Sequence, residues 1–589
     1  MRQKPTSWVR SFSVLTILAS TFAALGGCSF LYDLDGEQCS TDGDCDELGG
    51  PLAGRLCVEG LCVAKAAQQG GSAGTGDGGT SSGGSSGSGG AGGTEAPPDC
   101  ETHEDCMEKA DGLPAICREG ACTTLVNGAD GGQCTVVLGV DNLYEHENVF
   151  VFGAFSAIPD ARQPRSSPIT LNFEYVIDKV SERGGLQIQG KTQYPVAVVC
   201  NAAGADKDSL DKSFDHLVDT VEVPAIISSV YALELKRSFE RIYDGGDGKK
   251  VFFLSPFESD QALTKIDDSG LLWHLLPDSL SVAPAYVPLF QRVEAKIADG
   301  GVTPPIRVAL IESDFQWLLD VSDYLQDELV FNGLSPIDNG ANFELVKIDS
   351  SGEDWVAAYE ELEAFKPHVI VSASGSEFHQ VMEQLEAEWD GFAGGQARPY
   401  YILSPFQYGT GLTDLVADDP ALRERVVGIN TASAEDLTLY NKYLFDFRST
   451  YKDFKPLDLL NGTENFYDAA LFTLLAASAA GNVPKLRGLD IARGMGRLVD
   501  NVDGTEANMT LDKVQEYSQT LNTTELNYAL TGTLGPPNFN PGFGTRQGKG
   551  SVWCVTSDPV VLFDVLRYDA ENSTLTGDFP ANCFDLPEP

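Results

Sequence analysis

From residue 149 onward the chain alternates short apolar runs with stretches in which apolar residues recur every three or four positions. A bounded apolar run reads as a buried strand and the longer period as a one-faced helix, so the alternation predicts an α/β fold with mostly parallel sheet. Val149-Phe-Val-Phe152 opens the series, and Ile169, Phe173, Val176, Ile177 and Val180 mark the helix after it. Pro195-Val-Ala-Val-Val199 follows, then a helix carrying Leu210, Phe214, Leu217, Val218 and Val221, then Pro224-Ala-Ile-Ile227 and Val251-Phe-Phe-Leu254. The order then restarts at Ile306-Arg-Val-Ala-Leu-Ile311, with a helix on Leu318, Val321, Leu325 and Leu329 and strands at Phe343-Glu-Leu-Val346, His368-Val-Ile-Val371 and Tyr400-Tyr-Ile-Leu403. The fourth strand of each series ends in the same tetrapeptide, Leu254-Ser-Pro-Phe257 and Leu403-Ser-Pro-Phe406. Two lobes built to one plan, with a cleft between them, account for the repeat. The apolar block 469–480 is a buried helix rather than a membrane span, being too short to cross a bilayer.

Ligands of open α/β sheets sit beyond the carboxyl ends of the strands, so the loops that follow the strands are the candidate site. Those loops are small and polar: Ser156, Asn201, Ser228 and Ser229, then 255–259 in the first lobe, and 314–317, 372–376 and 404–408 in the second. For each serine a strand-end turn or cap is the competing role, and for Phe315 and Trp317 it is packing at a helix start.

The chain before residue 149 is built differently. Residues 1–27 read as an export signal, with Arg2, Lys4 and Arg10 ahead of an apolar run, and Leu25-Gly26-Gly27-Cys28 looks like a lipobox whose cysteine is lipidated. Ser29 next to it implies passage to the outer membrane. The other twelve of the 13 cysteines divide into three fours. Cys39-x5-Cys45-x11-Cys57-x4-Cys62 is followed by Cys100-x5-Cys106-x10-Cys117-x4-Cys122, and Cys57-Val-Glu-Gly-Leu-Cys62 is echoed by Cys117-Arg-Glu-Gly-Ala-Cys122. Duplicated modules of this size need staples, and two disulfides in each fit an exported chain better than zinc, whose ribbons use CxxC pairs. Residues 66–99, with 13 Gly and 6 Ser among 34, form a flexible tether between the modules. Cys134, Cys200, Cys554 and Cys583 suggest two further disulfides, which the sequence does not pair.

Composition narrows the function. With 86 acidic and 40 basic residues and a net charge of −46, the chain has no basic stripe for nucleic acid. Its six histidines never fall in metalloprotease spacing, 372–376 is not a nucleophile elbow, and 544–550 is not a phosphate-binding loop. No enzyme and no cofactor are expected.

The succession of motifs resembles the type I periplasmic binding proteins, specifically the branched-chain amino-acid group of ABC transporter substrate-binding proteins. Phe173-Glu-Tyr-Val-Ile-Asp-Lys-Val180 with Gly184-Gly185 looks like the first helix and its turn, and Ala225-Ile-Ile-Ser-Ser229 and Leu254-Ser-Pro-Phe-Glu-Ser259 look like two ligand loops. Asn465-Phe-Tyr-Asp-Ala469 is similar to the family's Tyr-Asp-Ala helix start, and the glycines from Gly542 to Gly550 to its closing hairpin. The Cys modules resemble repeats of myxobacterial surface lipoproteins. The resemblance implies a two-lobed fold preceded by small disulfide-rich modules. Its divisions are 1–27 signal, 28–65 and 100–134 modules around the linker 66–99, and 135–589 binding domain. Lobe one takes about 148–290 and 435–535, and lobe two about 300–430 and 540–570, with crossings near 286–304, 428–440 and 530–542. It implies capture of a small polar ligand by hinge closure, with an ABC permease or another envelope component as partner. The ligand residues carried over are Ser228, Ser229, Ser255, Phe257 and Ser259 from one lobe and Phe315, Trp317, Ser374, Ser376, Ser404 and Tyr408 from the other. Amino-acid-binding members hold the ligand ammonium with a carboxylate of lobe two. The segment 403–408 has none, which leaves Glu312, Asp314 or Glu377 as substitutes. The alternative is a surface lipoprotein that keeps the fold to bind a partner.

Overall fold

The computed structural model describes residues 56–58, 61–63 and 99–589, apart from 159–166, 231, 244–249, 418, 433, 435, 453–462, 541, 543, 559, 581–582, 584–585 and 587–589. The signal, Cys28, Cys39, Cys45 and linker residues 66–98 lie outside the described residues. No described helix is long and apolar enough to cross a membrane.

The two Cys modules share a hairpin. Leu56–Val58 pairs antiparallel with Leu61–Val63, setting Cys57 opposite Cys62, and Ala115–Arg118 pairs with Ala121–Thr124, setting Cys117 opposite Cys122. In the second module the helix His103–Lys109 starts with a capping box in which Thr102 and Asp105 satisfy each other's backbone N–H groups. Disulfides Cys100–Cys117 and Cys106–Cys122 fasten helix to hairpin. This module is not a bead on a string. Cys106, Met107, Ile116 and Leu125 are buried in the same apolar core as the first lobe. An Arg118 guanidinium N–H donates to the Val221 carbonyl at 2.5 Å, and His216 Nε2 lies 3.0 Å from the Leu125 carbonyl.

Both lobes carry the same sheet. In chain order the first has parallel strands Val149–Ser156, Lys191–Asn201, Ala225–Ile227, Phe252–Ser255 and Leu272–Pro277, and the second has Val308–Ser313, Phe343–Ile348, Val369–Ala373, Tyr400–Leu403 and Val426–Thr431. Across each sheet the spatial order is 2-1-3-4-5, a doubly wound arrangement with helices on both faces. The two-lobed α/β plan expected from the sequence is therefore present, with five parallel strands per lobe rather than the four legible in the apolar runs. The first sheet gains an antiparallel edge strand, Cys134–Leu138, joined to its neighbour by the disulfide Cys134–Cys200. The second is extended by Gly550–Val555, Val561–Asp569 and Thr574–Thr576, and Cys554 is bonded to Cys583.

The helix Glu464–Ala479 explains its own sequence: every residue from Asn465 to Ala479 is buried, so it is apolar all round and runs through the first lobe. The chain passes between lobes three times. Helix Tyr286–Asp299 already packs in the second core, so the first passage follows Pro277 and precedes the 286–304 expected. The second lies between Thr431 and Thr438. Phe539–Asn540 and Thr545–Arg546 still add to the first sheet, which moves the third passage beyond 546, later than 530–542.

Candidate functional site

The loops at the carboxyl ends of the two sheets meet. Phe257 of the first lobe packs edge-on against Phe406 of the second, ring centroids 6.1 Å apart, and Phe315 and Trp317 pack on the same Phe406 ring at 5.3 and 5.4 Å. Edge-to-face packing suits the ring quadrupoles, so the four side chains form one wedge between the sheets. Phe315 stands at the cap of the helix Gln316–Glu328, where extended backbone turns into helix, and Trp317 begins its buried face. Tyr408 is placed apart from this group, packed on Phe563 at 4.8 Å and Trp553 at 6.3 Å. Behind the wedge, Asp320 of the second lobe accepts the Gln261 N–H at 3.2 Å and the Ser279 hydroxyl at 2.8 Å, clasping the first lobe and the first crossing.

The serines shape the loops. Ser228 Oγ accepts the Val230 N–H and Ser255 Oγ the Glu258 N–H, while Ser229 donates to the Phe155 carbonyl and Ser259 to the Pro277 carbonyl. Ser374 pairs with Ser372 at 2.6 Å, and Ser404 donates to the Ser374 carbonyl at 2.5 Å and accepts the Phe406 N–H. Ser376 is exposed. A hydroxyl that only accepts keeps its proton for another partner, which holds for Ser228 and Ser255.

The three carboxylates named as substitutes for the ammonium partner are engaged. Glu312 is paired with Lys347 at 2.9 Å and accepts the Ser322 hydroxyl at 2.7 Å. Asp314 accepts the Ser350 N–H, and Glu377 folds back to accept the Gly375 N–H.

Other ionisable groups are buried near the same loops, and sequence reading passed over them. Glu258 is 2 % exposed and its Oε1 has no partner; burial, then Asp260 and Glu234, push its carboxyl well up. His274, fully buried, sets Nδ1 2.7 Å from the Glu258 carbonyl, so Nδ1 carries the proton, and burial pushes the imidazole down to about 4. At the start of the long first-lobe helix, Glu464 Oε2 is shielded from solvent without a partner, and burial, then Asp468, push that carboxyl up to about 7. Asp468, one turn on, accepts the Thr533 and Leu534 N–H groups at 3.1 and 3.2 Å. Burial pushes its carboxyl up to about 6, against those two hydrogen bonds and the nearby Arg546. Arg546 donates to the Leu534 and Pro536 carbonyls, so carboxylate and guanidinium together hold the first-lobe segment 533–536.

In the second module the sulfurs of Cys100, Cys106 and Cys122 lie within 4.8 Å of one another, close enough for a metal, but all are consumed in disulfides. A polar cavity of about 460 Å³ opens at the lobe junction between Lys236, Gln261, Lys265, Gln316 and Asp320. A groove of about 670 Å³ on the first lobe is floored by Trp273, Pro484 and Leu489.

No protein-family model matches the chain, and no curated protein matches it. Solved structures are similar to it at low identity. A branched-chain amino-acid transporter substrate-binding protein of Streptococcus pneumoniae, in complex with isoleucine, is 12% identical over 71% of this chain and 99% of its own, with a TM-score of 0.49. A leucine-binding protein of Thermotoga maritima is 14% identical over 72% and 99%, TM-score 0.47. A fatty-acid ABC transporter substrate-binding protein of Thermomonospora curvata is 14% identical over 73% and 94%, also at 0.47.

Proposed function

We propose that this chain is an extracytoplasmic solute-binding protein, lipid-anchored through Cys28, that closes two lobes on a small polar ligand for ABC-type uptake or for sensing. The observation that carries the reading is the opposition of two 2-1-3-4-5 sheets, whose carboxyl-end loops face each other across three chain crossings. Such a frame rotates about its crossings, and a ligand touching both lobes stabilises the closed state by its differential affinity for that state. The contacts assigned to the ligand on this reading are Ser228, Ser229, Ser255, Phe257 and Ser259 from one lobe and Phe315, Trp317, Ser374, Ser376, Ser404 and Tyr408 from the other, the buried serines among them being reached only as the lobes move. Neither metal nor cofactor enters this mechanism, and no residue is assigned a catalytic role.

The test is a thermal-shift screen of the full chain against amino acids, amides, amines, carboxylates and sugars, alongside mass spectrometry of small molecules that co-purify. A ligand present at a hundred times its Kd adds about 2.7 kcal/mol of stability and raises the melting temperature. Absence of any stabilising solute sinks the reading. One observation favours a second: hydroxyls of Ser229, Ser259 and Ser404 are spent on neighbouring carbonyls and four aromatics fill the junction. On that reading the lobes are a rigid surface lipoprotein that binds an envelope partner, and capture of that partner without any small ligand is its signature.

A further inference from the structure

We propose that this chain associates head to tail with a second copy of itself: an apolar loop at the outer pole of one molecule's second lobe seats in the groove at the outer pole of the next molecule's first lobe.

The loop is 330–338. Val330, Leu334 and Ile337 are 50, 48 and 85 % exposed there. Single exposed apolar side chains are ordinary, but three within eight residues of one loop make a patch suited to contact with another surface. The loop is also stiff. Phe331 and Leu334 exchange backbone hydrogen bonds at 3.1 and 3.0 Å, and the buried Asn339 amide donates to the carbonyls of Phe331, Leu334 and Ser335 at 3.0, 3.1 and 2.9 Å. Docking such a loop loses little conformational freedom. Asn332 fixes its position, accepting the Ile306 N–H at 2.8 Å and donating to the Ile306 carbonyl at 2.9 Å, beside the amino end of the strand Val308–Ser313.

The groove of about 670 Å³ lies at the amino ends of the first sheet. Its Gly270 leads into the strand Leu272–Pro277, and the Gly488 N–H donates to the Lys250 carbonyl at 2.8 Å, just ahead of Phe252–Ser255. Because the carboxyl ends of the two sheets face each other, loop and groove stand at opposite poles and cannot meet within one chain.

Their chemistry is complementary. The groove floor is apolar, and Lys485, Arg487 and Arg493 outnumber Asp490 along its lining, a local excess of cations in a chain of 86 acidic and 40 basic residues. Lys485 is paired with Glu222 at 3.0 Å and Arg493 with Asp490, but with both cations exposed these pairs are weak and open to exchange. Beside the apolar loop stand the exposed Asp327, Glu328 and Asp338. Asp327 and Glu328 close the helix Gln316–Glu328, whose last turn has no basic residue, so they sit at the negative end of its dipole. The groove holds the opposite end of a helix, the start of Gly488–Leu498. The contact joins two different surfaces, so repeating it builds an open row of molecules rather than a closed dimer. One loop in one groove falls short of the roughly 1,200–2,000 Å² of a stable interface, which makes association weak and dependent on concentration.

Sedimentation velocity of the full chain from about 10 μM to about 1 mM reads this association. The weight-average sedimentation coefficient should climb with concentration, and climb less in about 1 M salt than in about 0.1 M as the charges are screened. Ile337→Asp should abolish the climb, and so should Lys485→Glu combined with Arg493→Glu. All three side chains are exposed, so melting temperatures should match that of the unaltered chain. Each variant loses one surface and keeps the other, so an equimolar mixture of the two should form a dimer and stop there. Association through any other part of the chain is common to all variants and drops out of the comparison. A chain of one sedimentation coefficient at every concentration, a climb that survives both variants, or a mixture no more associated than either variant alone overturns the head-to-tail contact.

Discussion

Buried ionisable side chains set how this protein answers to pH. An acid raised by burial favours folding while protonated, so the contribution of Glu464 is present below about 4.5 and is lost as pH rises through about 7. An imidazole depressed by burial acts at the other end: His274 and His379 contribute above about 6.5, and that contribution is lost as pH falls through about 4. The two effects therefore oppose each other in one window: between about pH 4.5 and 6.5 the histidines add stability as pH rises while Glu464 loses it, and up to about 7 the Glu464 loss continues. Glu464→Gln should remove the Glu464 loss, so that the melting temperature of the variant relative to the unaltered chain rises between about pH 4.5 and 7, as scanning calorimetry across pH would show; a difference that does not change with pH over that window would contradict a raised Glu464 carboxyl. The sequence disclosed little at this scale. A glutamate at a helix start reads as an ordinary complement to the helix dipole, and a serine after a strand reads equally as ligand contact or turn cap. The partner decides between these roles, and Ser229 finds its partner 74 residues away.

Elements were far more legible, because periodicity is a local property. The strands around Val151, Val198, Ile226, Phe253, Leu310 and Ile370 all lie where apolar runs put them, and the paired Leu-Ser-Pro-Phe segments do end equivalent strands. The fifth strand of each sheet went unread for physical reasons. Leu272–Pro277 carries His274 at its centre, a polar residue whose Nδ1 is met by the Glu258 carbonyl of another loop while its Nε2 is buried without a partner. Val426–Thr431 is interrupted by Gly428, which ordinarily weakens a strand. Here the glycine makes room for the Trp553 indole on the neighbouring strand, and a Cβ at 428 would stand 2.2 Å from two ring carbons. Gly428→Ala should consequently cost about 1–3 kcal/mol or more as the fully buried indole is displaced. Urea unfolding followed by tryptophan fluorescence would measure it, and a cost under about 0.5 kcal/mol would mean the ring repacks freely. The helix Lys207–Asp215 runs on into a π-turn, His216–Thr220, which the even spacing of Leu210, Phe214, Leu217 and Val221 did not reveal.

At the scale of the whole molecule the expectation of modules strung on a flexible tether changes. The second module is fused to the first lobe through a shared core, whereas the Gly/Ser-rich residues 66–99 precede it. Deleting residues up to 98 should leave the melting temperature unchanged. Deleting through 125 strips Met107, Ile116 and Leu125 from that core and should lower it by several degrees, a loss of a few kcal/mol in buried apolar surface. Equal melting temperatures for the two truncations would show the module to be energetically independent. The arrangement also breaks the symmetry between two lobes of identical topology. On the anchored reading proposed above, the N-terminal segment reaches the first lobe through the second module, and the shared core leaves no swivel between that module and that lobe. On the same proposal, closure moves the second lobe relative to the module-bearing first lobe, so a component reading the occupied state would have to grip the outer face of the second sheet.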